Sequence, residues 1–403
     1  MKHALLLPLL AALPALAAAG PAHAPATHQP PVGHVFVIVL ENKNYEDTFG
    51  PKSAAPYLAH DLPAKGVLLE QYYATGHFSL DNYLAMISGQ AASRETRDDC
   101  EVFEDFRLQG MTADGQAIGH GCVYPASIRT LADQLQDAGL DWRAYMEDMG
   151  NDPGREASAC AHPVVGSPDP TQAAEAPRAG VPHGDQYAAR HNPFMYFHSI
   201  IDAPGCAHHV VRLEQLQHDL ARAGTTPAYT FIAPSLCSDG HDGPCVDGRP
   251  GGLASIDAFL REWVPRIMAS PAFRRDGLLV VTFDEGEEEE ENSSGGTVLR
   301  YAGEHCCNQQ PGPNIGPFPE SFRDGNVTYV IDDFGGERTG TVLLSPFLRP
   351  GHVSKLPFNH YSMLKSIEDL FHLPTHLGYA AQPGLVGWFE EGSDVRAAVR
   401  AAR

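Results

Sequence analysis

The stretch HVFVIVLEN near the start of this chain constrains its fold more than any other. Val35–Leu40 is an uninterrupted apolar run, mostly β-branched, with the length of a strand rather than of a helix. A strand without a polar face is buried on both sides, as in a parallel sheet. Glu41 and Asn42 follow at once, at the end of the strand where functional groups of such sheets lie. Their oxygens predict ligands for a hard metal ion, although the pair could equally be a polar turn that closes the strand.

Two later segments repeat this pattern of a buried strand followed by acidic residues. Gly277–Phe283 is a second apolar run, and it ends at the pair Asp284–Glu285. Tyr229–Ala233 is a third strand, followed closely by the acidic and histidine side chains of Ser238–Asp242. If the three strands are neighbours in one parallel sheet, these groups meet at one edge, and so many carboxylates need a cation. Oxygen-rich ligands favour Mg, Ca or Mn, and Zn if a histidine joins them.

A predicted helix carries a candidate nucleophile. Apolar residues from Leu80 to Ile87 recur at helical spacing, with Ser79 at the expected N-cap and Gly89 at the expected C-cap. Ser79 could therefore be an ordinary capping residue. It could also be a nucleophile at a helix N-terminus, where backbone N–H groups favour an incoming phosphate. The two roles compete, because a capping hydroxyl is used on the N–H groups of its own helix.

Strands and helices alternate along most of the chain, which predicts an α/β fold: a three-layer α/β/α sandwich with a central, mostly parallel sheet. Further strands are expected at 66–69, 140–146, 327–331 and 341–344, and amphipathic helices at 127–139, 211–223, 253–268 and 359–370. Irregular segments are expected at 93–127, 150–184 and 302–325. The acidic run Glu287–Glu291 is most simply a solvated loop or a flexible lid.

The first residues are typical of a secretory signal. A basic Lys2 precedes an apolar Leu/Ala segment, so we expect a signal peptide over residues 1–24, a disordered lead-in over 25–33 and one catalytic domain over 34–403. No later stretch is long and apolar enough to span a bilayer, so the expected product is soluble and exported, either periplasmic or secreted. The net charge of −22 argues against binding to nucleic acid or to an anionic membrane.

Eight cysteines agree with an oxidising compartment. The absence of a CxxC pair makes a thiolate zinc cluster improbable. Cys100 with Cys122 and Cys237 with Cys245 are plausible local disulfides. We expect the adjacent Cys306 and Cys307 to pair with different partners rather than with each other.

With these residues in place, the chain resembles the phosphoesterase family that contains bacterial phospholipases C and AcpA-type acid phosphatases, within the alkaline-phosphatase-like superfamily. The first shared segment resembles the family's ENxxFDxxFG signature, and the others follow in the family's order over roughly residues 34–372. The segments are ENKNYEDTFG (Glu41–Gly50), HFSLDNY (His77–Tyr83), HNPF (His191–Phe194), SDGHD (Ser238–Asp242), FDEG (Phe283–Gly286) and HYS (His360–Ser362).

The resemblance implies an alkaline-phosphatase-like fold and a role for each matched residue. One divalent metal ion would be held by Glu41, Asn42, Ser79, Asp284 and Glu285. Ser79 would attack phosphorus and form a phosphoserine, and Asn82 would hold a phosphate oxygen. His191 and His241 would contact the phosphoryl group or protonate the leaving oxygen, with Asp239 orienting one of them.

The chain departs from the family pattern at two positions. Asp81 stands where the family usually has Pro, and Glu285 stands where phosphatase relatives often have Asp. The sulfatase segment C-x-P-x-R is missing from the sequence, which argues against sulfatase activity.

The expected function is exported, metal-dependent hydrolysis of phosphate esters, most simply by an acid phosphatase-type phosphomonoesterase acting on small phosphate esters. The alternatives are a phospholipase C-type phosphodiesterase acting on phospholipid head groups, and a metal- or phosphate-binding protein that has lost turnover. Retention of a candidate nucleophile beside a full set of ligands argues against the last of these.

Overall fold

The computed structural model describes residues 29–293 and 296–400. The expected signal peptide, residues 1–24, lies outside the described residues. Part of the expected lead-in is described: Val32 is buried, and the N–H of Gly33 donates to the carbonyl of Asp276 at 2.9 Å. The prediction of disorder is therefore wrong for Val32 and Gly33, which are packed and hydrogen-bonded.

Eight strands form the central sheet, and seven of them run in the same direction. Thr341–Leu344 runs antiparallel to both of its neighbours. Across the sheet the order is His352–Ser354, Val67–Leu69, Thr341–Leu344, Gly277–Phe283, His34–Leu40, Tyr229–Ala233, Trp142–Met146 and Val210–Arg212. The three strands that end in candidate site residues are thus adjacent, as predicted.

Helices cover both faces of this sheet. The side chains of His34–Leu40 alternate between two cores: the three valines pack with residues of the helices Ser79–Ser88 and His360–Leu370, whereas the Phe, Ile and Leu pack with residues of Gly252–Ala269. Because one strand contributes to a core on each side, the architecture has three layers. The predicted α/β class with a mostly parallel sheet is confirmed.

The described α-helices range from single turns to the 18 residues of Gly252–Ala269. They are Tyr45–Phe49, Ser79–Ser88, Leu131–Asp137, His198–Ile201, Cys206–His209, Gln215–Asp219, Gly252–Ala269, Pro271–Asp276 and His360–Leu370. Shorter 3-10 or π turns lie at Tyr57–Asp61, Pro63–Lys65, Ala189–His191, Pro193–Tyr196, Gly378–Ala381 and Val395–Ala398. No helix within the described ranges is both long and apolar enough to cross a membrane.

A second, four-stranded sheet follows the strand Gly277–Phe283. Its order is Glu289–Ser293, Gly296–Tyr301, Val327–Ile331 and Glu320–Asp324. The predictions of a solvated loop at Glu287–Glu291 and of irregular structure at 302–325 were therefore partly wrong. Backbone pairing with Gly296–Tyr301 holds the acidic residues extended although their side chains face solvent, and such a strand lacks the apolar alternation that sequence analysis detects.

Other local predictions also need correction. The helix expected at 211–223 is an edge strand, Val210–Arg212, followed by the short helix Gln215–Asp219, because Trp142–Met146 leaves a free sheet edge that this segment fills. The segment 93–127 contains the hairpin Arg107–Met111 with Ala117–His120. Two pairs of two-residue strands form further separate ladders: Tyr72–Tyr73 with Phe358–Asn359, and Val102–Phe103 with Ser167–Pro168.

All eight cysteines lie in the described part of the chain, and all are paired. Cys100–Cys122 and Cys237–Cys245 are joined as predicted. Cys160 pairs with Cys206, which leaves Cys306 and Cys307 as each other's partner. The prediction of separate partners for these adjacent cysteines was wrong, since the other six are consumed among themselves.

Candidate active site

The register of the two central strands brings two polar pairs together. Leu40 lies opposite Phe283, so Glu41 and Asn42 leave the sheet beside Asp284 and Glu285. The backbone N–H of Asn42 donates to Asp284 Oδ1 at 3.0 Å, and its side-chain amide donates to Glu285 Oε1 at 3.1 Å. Asn42 has a φ of 38°, in the left-handed region that Asn tolerates better than most residues. This turn places the side chains of Glu41 and Asn42 beside those of Asp284 and Glu285.

Ser79 does not cap its helix. It is the first helical residue, and the N-cap position belongs to Phe78, which makes no side-chain capping hydrogen bond. The Ser79 hydroxyl instead donates to Glu41 Oε2 at 2.8 Å, and both side chains are buried. The capping interpretation of Ser79 is therefore excluded in this structure, and the hydroxyl lies in the cluster at the sheet edge.

Glu41 lies at the centre of the cluster. Besides Ser79, it accepts a hydrogen bond from the Tyr83 hydroxyl, and His191 Nε2 lies 3.3 Å from its Oε1. Burial raises the pKa of Glu41 well above its ordinary value, and the negative charge of Asp284 raises it further. A cation beside these carboxylates would relieve both effects.

His191 packs in a fully buried position. Its ring stacks on Tyr83 with centroids 5.3 Å apart and planes 9° apart, and its Nδ1 lies 3.6 Å from Asp239 Oδ2. Burial, followed by the charges of Arg190 and His241, lowers the pKa of His191 well below its ordinary value. The structure thus places His191 beside Asp239, in surroundings that disfavour the charged imidazolium.

His241 is the exposed member of the group. Its backbone N–H donates to Asp239 Oδ1 at 3.1 Å, while its side chain is open to solvent. Its charge still influences the pKa of both His191 and Asp99. His241 therefore stands at the mouth of the site rather than in its interior.

Asn82 occupies a different position from the one predicted. Its Oδ1 accepts from the backbone N–H groups of Thr75 and Gly76, at 2.9 and 3.0 Å. Both hydrogens of its amide are used on the carbonyls of Gly76 and Phe78, at 2.9 and 3.1 Å. The side chain braces the loop that delivers Ser79, and no amide hydrogen is left for a phosphate oxygen.

Sequence reasoning missed two carboxylates, and one of them is Glu337. His77 bridges Glu285 and Glu337: its Nδ1 lies 3.0 Å from Glu285 Oε2 and its Nε2 lies 2.6 Å from Glu337 Oε2. Burial lowers the pKa of His77, but the charge of Glu337 and the hydrogen bonds to both carboxylates outweigh it and raise the pKa to about 10. A buried imidazolium therefore holds Glu285 in place. Glu337 follows a Gly-Gly pair and gives no signal in the sequence.

The other missed group is the ion pair between Arg190 and Asp99. Arg190 Nε lies 3.6 Å from Asp99 Oδ2, and Asp99 Oδ1 accepts the backbone N–H of Leu80 at 2.9 Å. A guanidinium thus lies at the N-terminus of the helix that begins with Ser79. Its position directly before His191 was the available sequence signal.

His360 lies behind the cluster. It is buried, its Nε2 is 2.6 Å from the carbonyl of Asp284, and its Nδ1 is 3.1 Å from the Tyr72 hydroxyl. Burial lowers the pKa of His360 to about 4. A neutral His360 can donate to the Asp284 carbonyl and so fixes the backbone that presents this carboxylate.

The donor set fits a divalent metal ion. Two buried oxygens, Asn42 Oδ1 and Asp284 Oδ2, have no hydrogen-bond partner. Both oxygens are free to accept a cation, and they lie in the two turns that carry Glu41 and Glu285. All four side chains offer hard oxygen donors suited to Mg, Ca or Mn.

The structure defines an α/β protein with a cluster of buried polar side chains at the carboxyl edge of a mostly parallel sheet, where functional groups of such folds usually lie. Residues 51–374 match the Phosphoesterase family, and the chain belongs to this family. The match begins after Glu41 and Asn42, and it contains Ser79, His191 and Asp284.

Three curated relatives illustrate the similarity. A phosphatidylinositol-3-phosphatase from Mycobacterium tuberculosis is 25% identical over 351 residues, which cover 87% of this chain and 80% of that protein. A phosphate-repressible acid phosphatase from Penicillium chrysogenum is 26% identical, and a probable acid phosphatase from Kluyveromyces lactis is 24% identical. Each fungal match covers 62% of this chain and 47% of the relative, so the chain spans about half the length of these phosphatases.

Solved structures with a related fold include a protein of the alkaline phosphatase superfamily from Vibrio parahaemolyticus. It has a TM-score of 0.47 and 11% identity, over 87% of this chain and 69% of that chain. Human ectonucleotide pyrophosphatase/phosphodiesterase 5 has a TM-score of 0.45 and 11% identity, over 91% of this chain and 100% of that chain.

Proposed function

We propose that this protein is an exported, metal-dependent phosphate ester hydrolase, and that it is a phosphomonoesterase of the acid phosphatase type with Ser79 as its nucleophile. The observation that carries the proposal is the hydrogen bond from Ser79 Oγ to the buried Glu41 carboxylate, at a helix N-terminus. Family membership and relatives named as phosphatases support the reaction class. Four disulfides agree with export.

The proposed metal ligands are Glu41, Asn42, Ser79, Asp284 and Glu285. When bound, the divalent ion would supply positive charge that favours an oxygen nucleophile and a phosphoryl oxyanion. Glu285 is already held by Asn42, His77 and the backbone N–H of Phe78, so its orientation is set in advance.

The chain's own residues account for the remaining roles. Glu41 holds the hydroxyl proton of Ser79, which prepares Oγ to attack phosphorus. As the Oγ–P bond forms, the ester P–O bond breaks, and a histidine at the mouth, His241, protonates the leaving oxygen. Neutral His191 and the charge of Arg190 lie beside the phosphoryl group, and water then releases phosphate from phosphoserine.

The test is hydrolysis of p-nitrophenyl phosphate and of p-nitrophenylphosphorylcholine, each with and without a chelator. We expect chelator-sensitive release from the monoester. Ser79→Ala should lower kcat by about 1,000-fold or more, because the nucleophile is removed. Ser88→Ala is the matched control: this serine is buried in the same helix, and its hydroxyl donates to the Leu84 carbonyl at 2.6 Å and accepts from the N–H of Gln90 at 3.2 Å, neither of which belongs to the site.

Other outcomes favour the alternatives. Release from the choline diester alone would identify a phospholipase C-type enzyme. A lack of release from either ester, with metal bound, would identify a binding protein. Full activity in Ser79→Ala would remove this residue from the reaction.

A further inference from the structure

The four-stranded sheet is attached to the loop that precedes Ser79. The ring of Tyr301, at the end of the strand Gly296–Tyr301, lies 4.6 Å from the ring of His77. Just beyond it, the N–H of Gly303 donates to Glu337 Oε1 at 2.7 Å. Two contacts therefore tie the small sheet to the residues that hold Glu285.

One face of the small sheet is aromatic and turns towards Phe78. Tyr329 lies opposite both Leu299 and Phe322 in the strand pairing, so these three side chains share a face. Tyr301, two residues beyond Leu299, belongs to the same face. Phe78 lies 5.6 Å from the ring of Tyr301 and 6.4 Å from the ring of Tyr329.

The rings form a continuous path from the site to solvent, which we name the aromatic strip: Phe78, Tyr301, Tyr329 and Phe322. Tyr329 and Phe322 stack with centroids 4.8 Å apart and planes 8° apart. Exposure increases along the strip, because Tyr301 is buried, Phe78 and Tyr329 are half-buried, and Phe322 is 37% exposed. Rings that served only as core would be covered at the outer end as well.

Negative charge borders the strip. Glu290 pairs with Leu299, so its side chain lies on the aromatic face of the sheet, and it belongs to the acidic run Glu287–Glu291. Acidic side chains beside the strip repel an anionic group, so they disfavour a leaving group that carries its own negative charge.

In-line displacement places the attacking and leaving oxygens on opposite sides of phosphorus, so an ester attacked by Ser79 directs its leaving group away from Oγ. Phe78, which contacts both Tyr301 and Tyr329 in the strip, directly precedes Ser79, so the strip adjoins the position at which an ester attacked by Ser79 would bind. We propose that the aromatic strip binds the leaving group of the substrate and selects phosphate monoesters whose leaving group is a neutral aromatic ring. This inference rests on the proposed function and adds a substrate class to it.

The test compares phenyl phosphate with glycerol 2-phosphate, each measured as the ratio of variant to wild type so that the reactivity of the leaving group cancels. Phe322→Ala and Tyr329→Ala should each raise KM for phenyl phosphate about three- to tenfold, the range expected for loss of one ring contact. The kcat/KM for glycerol 2-phosphate should change less than twofold. Phe322→Tyr should restore the wild-type KM. Val330→Ala, on the opposite face of the same strand, is the matched control.

Binding of phenylphosphonate and methylphosphonate, followed by calorimetry, separates this inference from the proposed function. Preference for phenylphosphonate that is lost in Phe322→Ala supports the strip even if neither ester is hydrolysed, in which case the proposed function alone fails. Hydrolysis of both esters with equal losses in the variants, or equal affinity for the two phosphonates, overturns the strip.

Discussion

At Ser79, a capping residue and a nucleophile differ in the hydrogen bond that the hydroxyl group makes. Here the hydroxyl donates to Glu41, a carboxylate 38 residues earlier in the chain, whereas a capping hydroxyl would accept from the N–H groups of its own helix. Sequence spacing could indicate both roles but could not choose between them. The choice depends on where the loop before the helix, which Asn82 braces, places Ser79 relative to the end of the strand His34–Leu40.

Arg190 provides a test at the scale of a single residue. Its guanidinium charge acts on Glu41, Asp99, Asp239 and His191. We expect Arg190→Ala to lower kcat/KM for p-nitrophenyl phosphate by about tenfold or more, because a charge-assisted contact to an anion contributes roughly 1.5–3 kcal/mol.

Arg143→Ala is the control for that change. Both arginine side chains are about equally covered, at 12% and 11% exposed, and each has a carboxylate partner. Arg143, however, pairs with Asp219 near the other edge of the sheet. Equal losses of activity in the two variants would show that Arg190 acts through stability rather than through the phosphoryl group.

The helix His360–Leu370 carries a test at the scale of an element. Glu368 is fully buried on this helix, and burial raises its pKa to about 9, against 4.5 for an ordinary glutamate. Between pH 4.5 and about pH 9, folding therefore requires the Glu368 carboxylate to take up a proton. The contribution of Glu368 to stability is fully present below about pH 4.5 and is lost as the pH rises through 9.

Glu368→Gln should remove this pH dependence. At pH 7.5 we expect its free energy of unfolding in urea to exceed that of the wild type by about 2 kcal/mol, and at pH 4.5 we expect the two to be similar. The exposed Glu391→Gln should match the wild type at both pH values. A parallel dependence on pH in Glu368→Gln and the wild type would contradict the prediction.

Elements with strong apolar patterns were predictable, and those without were not. His34–Leu40 and Gly277–Phe283 are buried at every position, so the apolar sequence of each predicts both the strand and the residue at which it ends. The small sheet is half-buried or exposed along most of its length, and of its four strands only Val327–Ile331 was predicted. At the site, residues that follow the buried strands were identified from sequence, whereas Glu337 and Asp99 arrive from loops whose paths depend on tertiary contacts.

At the scale of the whole molecule, the carboxylate cluster couples stability to metal. Adding Mn²⁺ to the chelator-treated protein should raise Tm, with about 2.7 kcal/mol of stabilisation at a concentration 100 times Kd. Asp284→Asn should lose this response, with metal content read by elemental analysis. Without metal, the same variant should be more stable than the wild type, because one of the repelling buried carboxylates is gone.

Asp369→Asn is the matched control for Asp284→Asn. Asp369 is half-buried and pairs with His376, and Mn²⁺ should stabilise this variant as much as the wild type. Retained metal content and an unchanged thermal response in Asp284→Asn would exclude Asp284 as a ligand.

The pairing of His34–Leu40 with two much later strands also dictates an order of folding. Asn42 bonds to Asp284 across 242 residues, and the strand Tyr229–Ala233 on the other side is nearly as distant in the chain. The strand His34–Leu40 therefore stays unpaired until most of the polypeptide has been synthesised, because long loops must close before it can pair with Tyr229–Ala233 or Gly277–Phe283. A long apolar segment exposed for that time is a target for aggregation, so the yield of folded protein should depend on chaperones that shield nascent chains.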